Sequence, residues 1–255
     1  MDLRHTFDED AACYHRHRPG YVPDLFSAIF ASCNGPGRRA LEIGIGTGQA
    51  TEPFLAAGWQ VDAIELGANL AAYAAARFAS WPSFRITQGD FCKLDIAMNT
   101  YDLLYAATAF HWLDQDTGLT RAYQVLKPGG TIALFWNHPD PNQPGDPSNA
   151  ANQQVYEKYR PHDKKPGPLD LEKIPASLRA HGFSGIQTQL YRRVRTLSAA
   201  DYIGLLNTYS DHRALPEDLK MAFEQEMLHA LQALSGSIRI HDTQDLYLAS
   251  KPVGR

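Results

Sequence analysis

Between residues 40 and 58 an apolar run gives way to a helical pattern through three glycines at alternate positions, Gly44, Gly46 and Gly48. Nothing else in the chain restricts its fold as strongly. Ala40, Leu41 and Ile43 read as the end of a buried strand, and residues 49–57, stopped at Gly58, read as a short helix. Glycines let the connecting backbone turn sharply and approach a ligand closely. Strand, glycine loop and helix in that order make a nucleotide-like site at the carboxyl end of a parallel strand.

Three loop designs compete for this segment, and spacing separates them. A phosphate-cradling P-loop ends in Gly-Lys-Ser/Thr, whereas Gly48 is followed by Gln49 and Ala50. The dinucleotide fingerprint requires its third glycine at position 49, which is Gln49. The third design puts an acid just before the glycines, and Glu42 stands there. A carboxylate at that place repels a pyrophosphate and pairs with a ligand ammonium.

Glu42-Ile43-Gly44-Ile45-Gly46-Thr47-Gly48 resembles the first signature of the class I S-adenosylmethionine-dependent methyltransferases. Val61-Asp62-Ala63-Ile64-Glu65-Leu66 supplies a second acid, Glu65, at the distance from which an acid grips ribose hydroxyls. Gly89-Asp90-Phe91 matches the third signature. The resemblance implies that Asp90 meets the adenine amino group and that Phe91 or Leu66 covers the ring. Residues 101–108 resemble the fourth strand, with Thr108 among its cofactor contacts and Ala109-Phe110-His111-Trp112-Leu113 at its outlet. Leu126-Lys127-Pro128-Gly129-Gly130 then leads into a fifth strand, so the ordered matches cover residues 10–137.

The resemblance implies an α/β fold, a Rossmann-like doubly wound seven-stranded sheet with its last strand antiparallel, plus helical cap insertions. It also implies S-adenosylmethionine as cofactor and S-adenosylhomocysteine as product. Two rivals stand beside it: a non-catalytic adenosylmethionine-binding protein, and a nicotinamide-dependent oxidoreductase, for which the third glycine is misplaced.

With 255 residues, 44% of them hydrophobic, the chain can bury one large core. We expect a single domain, 1–255. Within it, residues 1–36 are N-terminal helices, 37–137 the cofactor-binding core, 138–184 a connection and movable lid, and 185–255 the C-terminal strands with inserted helices. Four prolines punctuate residues 138–147. Residues 150–159, 174–181, 199–206 and 216–234 read as helices, and 186–190 as a strand. Asp242-Thr243-Gln244-Asp245 reads as a polar turn between strands 237–240 and 246–249. By resemblance that hairpin-like ending supplies the antiparallel seventh strand.

The formal net charge of −4 provides no general field for nucleic acid, whose binding is dominated by phosphate neutralisation. No run reaches the length of a membrane span, and residues 2–18 are charged, so a cytoplasmic protein is expected. Cys13, Cys33 and Cys92 share no metal-ligand spacing and fit reduced thiols. Neither a metal nor a disulfide is expected, and the protein is expected to be a monomer or homodimer.

Phe7, Ala11, Tyr14 and Arg18-Pro19-Gly20-Tyr21 precede the core, and the resemblance implies that this segment closes over the methionine end of the cofactor. Tyr14 and Arg18 share a helix face, and Arg18 suits a bidentate contact to a carboxylate. By resemblance, His111 and Trp112 face both the transferable methyl and the acceptor. His111 is the candidate base, since imidazole titrates near pH 6.5; the alternative is a histidine that only hydrogen-bonds the cofactor or a loop carbonyl. The sulfonium methyl is electrophilic, so in-line alignment should be the protein's main task. The Asn/Asp-Pro-Pro-aromatic motif of amino-group methylators is replaced by Ala107-Thr108-Ala109-Phe110. Tyr202, Tyr209, His212 and Arg213 lie in the inserted helices, where the family places acceptor contacts. Arg192, Arg193 and Arg195 suit an acidic acceptor or are exposed charges on a strand. The His-Trp outlet resembles the trans-aconitate and ubiquinone/menaquinone branches, which implies a small carboxylate or a phenolic, quinone-like acceptor.

Overall fold

The computed structural model describes residues 10–33, 35–162 and 167–254; Phe7 lies outside them. Two helices lead in. In α1 (Ala11–His17) the Asp10 carboxylate caps the N-terminus by accepting from the Cys13 amide, and α2 (Pro23–Ser32) opens on a proline, whose missing N–H costs nothing there.

The core then alternates strand and helix: β1 (Arg39–Ile43), α3 (Thr51–Ala56), β2 (Gln60–Glu65), α4 (Ala68–Arg77), β3 (Phe84–Gln88), β4 (Tyr101–Ala107), α5 (Gln115–Val125) and β5 (Leu126–Asp140). The C-terminal part comprises α6 (Pro147–Tyr159), α7 (Lys173–Ala180), β6 (Ser184–Ser198), α8 (Ala199–Leu206), α9 (Ser210–Arg213), α10 (Glu217–Gln232) and β7 (Ser237–Ser250). All seven strands form one sheet in the order β3-β2-β1-β4-β5-β7-β6. Only β7 runs against its neighbours, pairing antiparallel with both β5 and β6. Chain order reverses between β1 and β4, which opens a crevice at their carboxyl ends.

Strand alternation divides the core. Ala40, Leu103, Tyr105, Ala133 and Phe135 face one side, packed with Leu25, Ile29, Phe54 and Trp59. Leu41, Leu104, Ile132 and Leu134 face the other, against Leu119, Val125 and Leu178. Buried on both sides, these strands read as nearly continuous apolar runs. A third cluster, with Val155, Tyr202, Phe223, Met227 and Ile238, forms the centre of a cap built from α6, α8 and α10 against β7.

One local reading is corrected. Residues 242–245 form no turn: β7 is continuous, and Asp242, Gln244 and Asp245 are buried within it. Polar residues survive there because other strands supply partners. Asp242 accepts from Arg193 Nε at 2.9 Å, Arg195 Nε at 2.5 Å and Asn137 Nδ2 at 3.2 Å. The 138–184 connection begins as an extension of β5 and continues as α6, which is tied to β7. Asp146 caps α6 and meets Arg239 Nε at 2.6 Å, and Asn149 Nδ2 donates to the Arg239 carbonyl at 2.8 Å.

Candidate functional site

The glycine loop holds its shape through positive φ angles and through Glu65. Gly44 has φ +67°, and a Cβ there would stand 2.6 Å from that of Ala109; at Gly48, φ +85°, it would run into the Phe78 ring. Glu65 ends β2 and spans two loops: Oε2 accepts from the Gly46 amide at 2.8 Å and Oε1 from the Gly67 amide at 3.0 Å. Arg77 braces the loop from outside, donating to the carbonyls of Thr47 and Gly48 at 2.9 and 3.0 Å.

Glu42 lies beneath this loop rather than in the site. It shares the β1 face with Ala40, is 1% exposed, and accepts from Thr51 Oγ1 at 2.7 Å and Tyr105 Oη at 2.8 Å. Burial pushes its pKa up to about 8, against the pull of those two hydroxyls. The expected partnership with a ligand ammonium is therefore replaced by an internal one, because the strand's pleat turns this side chain toward α3.

A cavity of about 320 Å³ opens at the carboxyl ends of β1, β2 and β4. Gly44 and Gly46 contribute its floor, and Glu65, Leu66, Asp90 and Phe91 line it, with Ile64 and Leu70 adding apolar wall. Asp90 is oriented by the Cys92 amide at 2.9 Å and stands 3.6 Å from Lys93 Nζ. Thr108 follows β4 with φ +52°, its hydroxyl 2.7 Å from Tyr21 Oη and 3.2 Å from the Asn137 amide.

The remaining wall comes from α1 and the cap. Arg18 lies over the rings of Tyr14 and Tyr209, 5.1 and 4.5 Å from their centroids, and its Nη2 donates to the Thr208 carbonyl at 2.8 Å. His111 and Trp112 form a 3₁₀ turn at the β4 outlet and line the same cavity. Trp136 Nε1 donates to His111 Nδ1 at 2.9 Å. Burial, with the charges of His138 and Arg18, pushes the His111 pKa down to about 4.

Of the residues singled out from sequence, the cavity gathers Tyr14, Arg18, Gly44, Gly46, Glu65, Leu66, Asp90, Phe91, Thr108, His111, Trp112 and Tyr209. Glu42, Gly48 and Tyr202 are not among its lining residues. Tyr202 is 2% exposed in the cap core and donates to Asn152 Oδ1 at 2.8 Å, so its expected place against an acceptor is corrected. Four polar lining residues escaped the sequence reading: Gln49, Asn137, Ser210 and Asp211. Asn137 lies in β5 just past its buried apolar run, a legible signal; Asp211 carries none, because its place depends on how the cap folds back.

A family model described as a methyltransferase domain matches residues 41–134. Over 234 residues the chain is 28% identical to an uncharacterized methyltransferase of Schizosaccharomyces pombe, covering 88% of this chain and 84% of that relative. These matches make the chain similar to the class I S-adenosylmethionine-dependent methyltransferases. The chain is also 34% identical over 133 residues to a malonyl-acyl-carrier-protein O-methyltransferase of Pectobacterium atrosepticum, covering 52% of this chain and 51% of that one. It shares its fold with the Haemonchus contortus phosphoethanolamine N-methyltransferase 2 solved with phosphomonomethylethanolamine and S-adenosylhomocysteine. The TM-score is 0.59 at 18% identity, covering 99% of this chain and 60% of the other. No helix among the described residues is long and apolar enough to cross a membrane.

The donor set of the cavity fits S-adenosylmethionine. Two carboxylates, Glu65 and Asp90, accept from hydroxyl or amino groups; Leu66, Leu70 and Phe91 offer apolar surface for a ring; Arg18 supplies a cation for a carboxylate. Any side chain at Gly44 would close the loop against Ala109.

Proposed function

We propose that this protein transfers the methyl group of S-adenosylmethionine, by in-line displacement, to a small-molecule acceptor: a carboxylate, or a phenolic or quinone-like oxygen or ring carbon. The observation that carries this reading is that one cavity holds both the cofactor-type carboxylates and the His111, Trp112 and Tyr209 wall. Its volume falls in the small-molecule range of about 300–1,000 Å³. A relative named for O-methylation supports an oxygen acceptor. The net charge of −4 supports a small molecule over nucleic acid, and three free cysteines support a cytoplasmic setting. We read the protein as a monomer or homodimer.

In this reading Glu65 takes the ribose hydroxyls, Asp90 the adenine amino group, and Leu66 and Phe91 the ring faces. Gly44, Gly46 and Thr108 shape the floor, and Arg18 with Tyr14 takes the methionine carboxylate. When bound, the cofactor supplies an electrophilic methyl on a sulfonium. The chain's own work is to exclude water and align the acceptor, with Trp112 and Tyr209 as its walls.

Calorimetric titration with S-adenosylhomocysteine, with NADH as control, tests the foundation. One-site binding of the first without the second is expected, followed by label transfer from a radiolabelled methyl donor to a small acceptor. Binding of NADH alone would overturn the reading.

A further inference from the structure

We propose that Trp136 fixes His111 as a hydrogen-bond donor, so that the site takes an acceptor that arrives already ionised, a carboxylate, and His111 removes no proton from it. The proposal rests on the methyl-transfer reading above.

Indole Nε1–H donates and never accepts, so the 2.9 Å contact makes His111 Nδ1 the acceptor. A neutral imidazole carries one N–H, which therefore sits on Nε2. The doubly protonated ring would set an N–H against the indole N–H. It would also add charge in a crowded wall faced by His138 and Arg18, in keeping with a pKa lowered to about 4. Near neutral pH a single state remains: Nδ1 bare and engaged, Nε2 protonated. A general base needs a lone pair directed at its proton. Here one lone pair is occupied, and the other nitrogen has none.

The indole is not loose. Trp136 is 8% exposed, its amide donates to Asp245 Oδ1 at 3.2 Å, and its ring packs edge-on to Tyr247 at 5.9 Å. Tyr247 Oη in turn donates to Asp245 Oδ2 at 3.0 Å, and His138 Nε2 lies 3.0 Å from Asp245 Oδ1. Trp136 is a positioning residue for His111.

The other lining acids are engaged as well. Glu65 holds two amides, Asp90 an amide and a lysine, and Asp211 is bonded to Arg160 at 2.8 Å. A phenol, with an ordinary pKa of about 10, finds no neutral-pH acceptor for its proton among these groups, whereas a carboxylate, ordinarily near 4, needs none. In the step that follows, a carboxylate oxygen forms a bond to the methyl carbon while the carbon–sulfur bond breaks. The bonding pair stays on sulfur, an ester and a thioether result, and no proton is released. The Nε2–H of His111 bonds the non-reacting oxygen and so orients the other toward the methyl.

The test begins with S-adenosylhomocysteine binding, which decides the methyl-transfer reading separately. Nitrogen-15 NMR of the histidine rings in the S-adenosylhomocysteine complex, from pH 5.5 to 8.5, should then show His111 with bare Nδ1 and protonated Nε2 throughout. A ring that titrates near pH 6.5, or one protonated on Nδ1, overturns the proposal while leaving cofactor binding intact. Trp136→Phe should release the ring into both tautomers with a raised pKa; where that variant does not fold, the wild-type spectrum decides alone. With radiolabelled donor, fumarate, succinate and benzoate are set against phenol and catechol. Transfer to a carboxylate at a rate flat between pH 6.5 and 8.5 is expected. His111→Gln, whose amide donates but takes no proton, should stay within about threefold in kcat/KM, and His111→Phe should lose about tenfold or more. Transfer to phenols only, to no carboxylate, or with equal losses in both variants overturns it.

Discussion

Glu65 carries two backbone amides while facing the cavity, so its charge holds the glycine loop and lines the cavity at once. Glu65→Ala should weaken S-adenosylhomocysteine by about 1.5–3 kcal/mol, the range for hydrogen bonds to a charged group, read by calorimetry. Unchanged affinity would remove Glu65 from the site. Glu42 is the contrasting acid, buried beneath the loop against Thr51 and Tyr105. Its folded-state pKa is raised from 4.5 to about 8, chiefly by burial, so the folded chain binds more protons than the unfolded one between those values. Its contribution to stability therefore falls as pH rises through that window and is level below and above it. Glu42→Gln should flatten this part of the pH dependence, gaining on wild type between pH 5 and pH 8 in urea denaturation. A constant difference between the two proteins across that range would show that Glu42 does not titrate there.

At the scale of elements, the long β6 and β7 strands carry the cap away from the sheet and place Tyr209 and Asp211 over the cavity. Their pairing depends on Asp242, whose side chain is fully buried against two arginines. Asp242→Ala would strand Arg193 and Arg195 together, at a cost of about 3–5 kcal/mol, the usual result of removing one partner of a buried ion pair. A change near zero in the denaturation midpoint would refute that. This cluster also explains where sequence reading stopped. Glu65 and Asp90 are legible because the first ends β2 and the second stands two residues past β3, and the end of a strand is a local property. Asp242 to Asp245 read as a turn because four polar residues make a strand only when another strand brings cations to meet them. Tyr202 and Tyr209 lie on the same inserted segment and look equivalent in sequence. The first is locked into the cap core by Asn152, and the second lies beyond the end of α8, where the chain turns back over the cavity.

On the scale of the whole molecule, three contributions meet at one cavity: the glycine loop, the β4 outlet and a wall from α1 and the cap. Arg18 joins two of them, bonding Thr208 while lying between the rings of Tyr14 and Tyr209. A ligand that spans this cavity binds the folded state alone and stabilises it as a unit. At a hundredfold excess over Kd, S-adenosylhomocysteine should add about 2.7 kcal/mol, or roughly 5–10 °C in Tm for a domain of this size. NADH at the same concentration should leave Tm unchanged; equal shifts from both would argue against an adenosylmethionine site.

The sequence by itself determined the α/β alternation, the glycine loop, and the acids at the strand outlets that line the cavity, because apolar periodicity and loop spacing act over a few residues and need no distant partner. Only the tertiary structure decided that Glu42 turns inward, that Tyr202 is core, and that His111 is paired with Trp136 from the neighbouring strand. Those outcomes depend on which side chains the sheet order brings within 3 Å, and a hydrogen bond between residues far apart in the chain leaves no periodic trace in it.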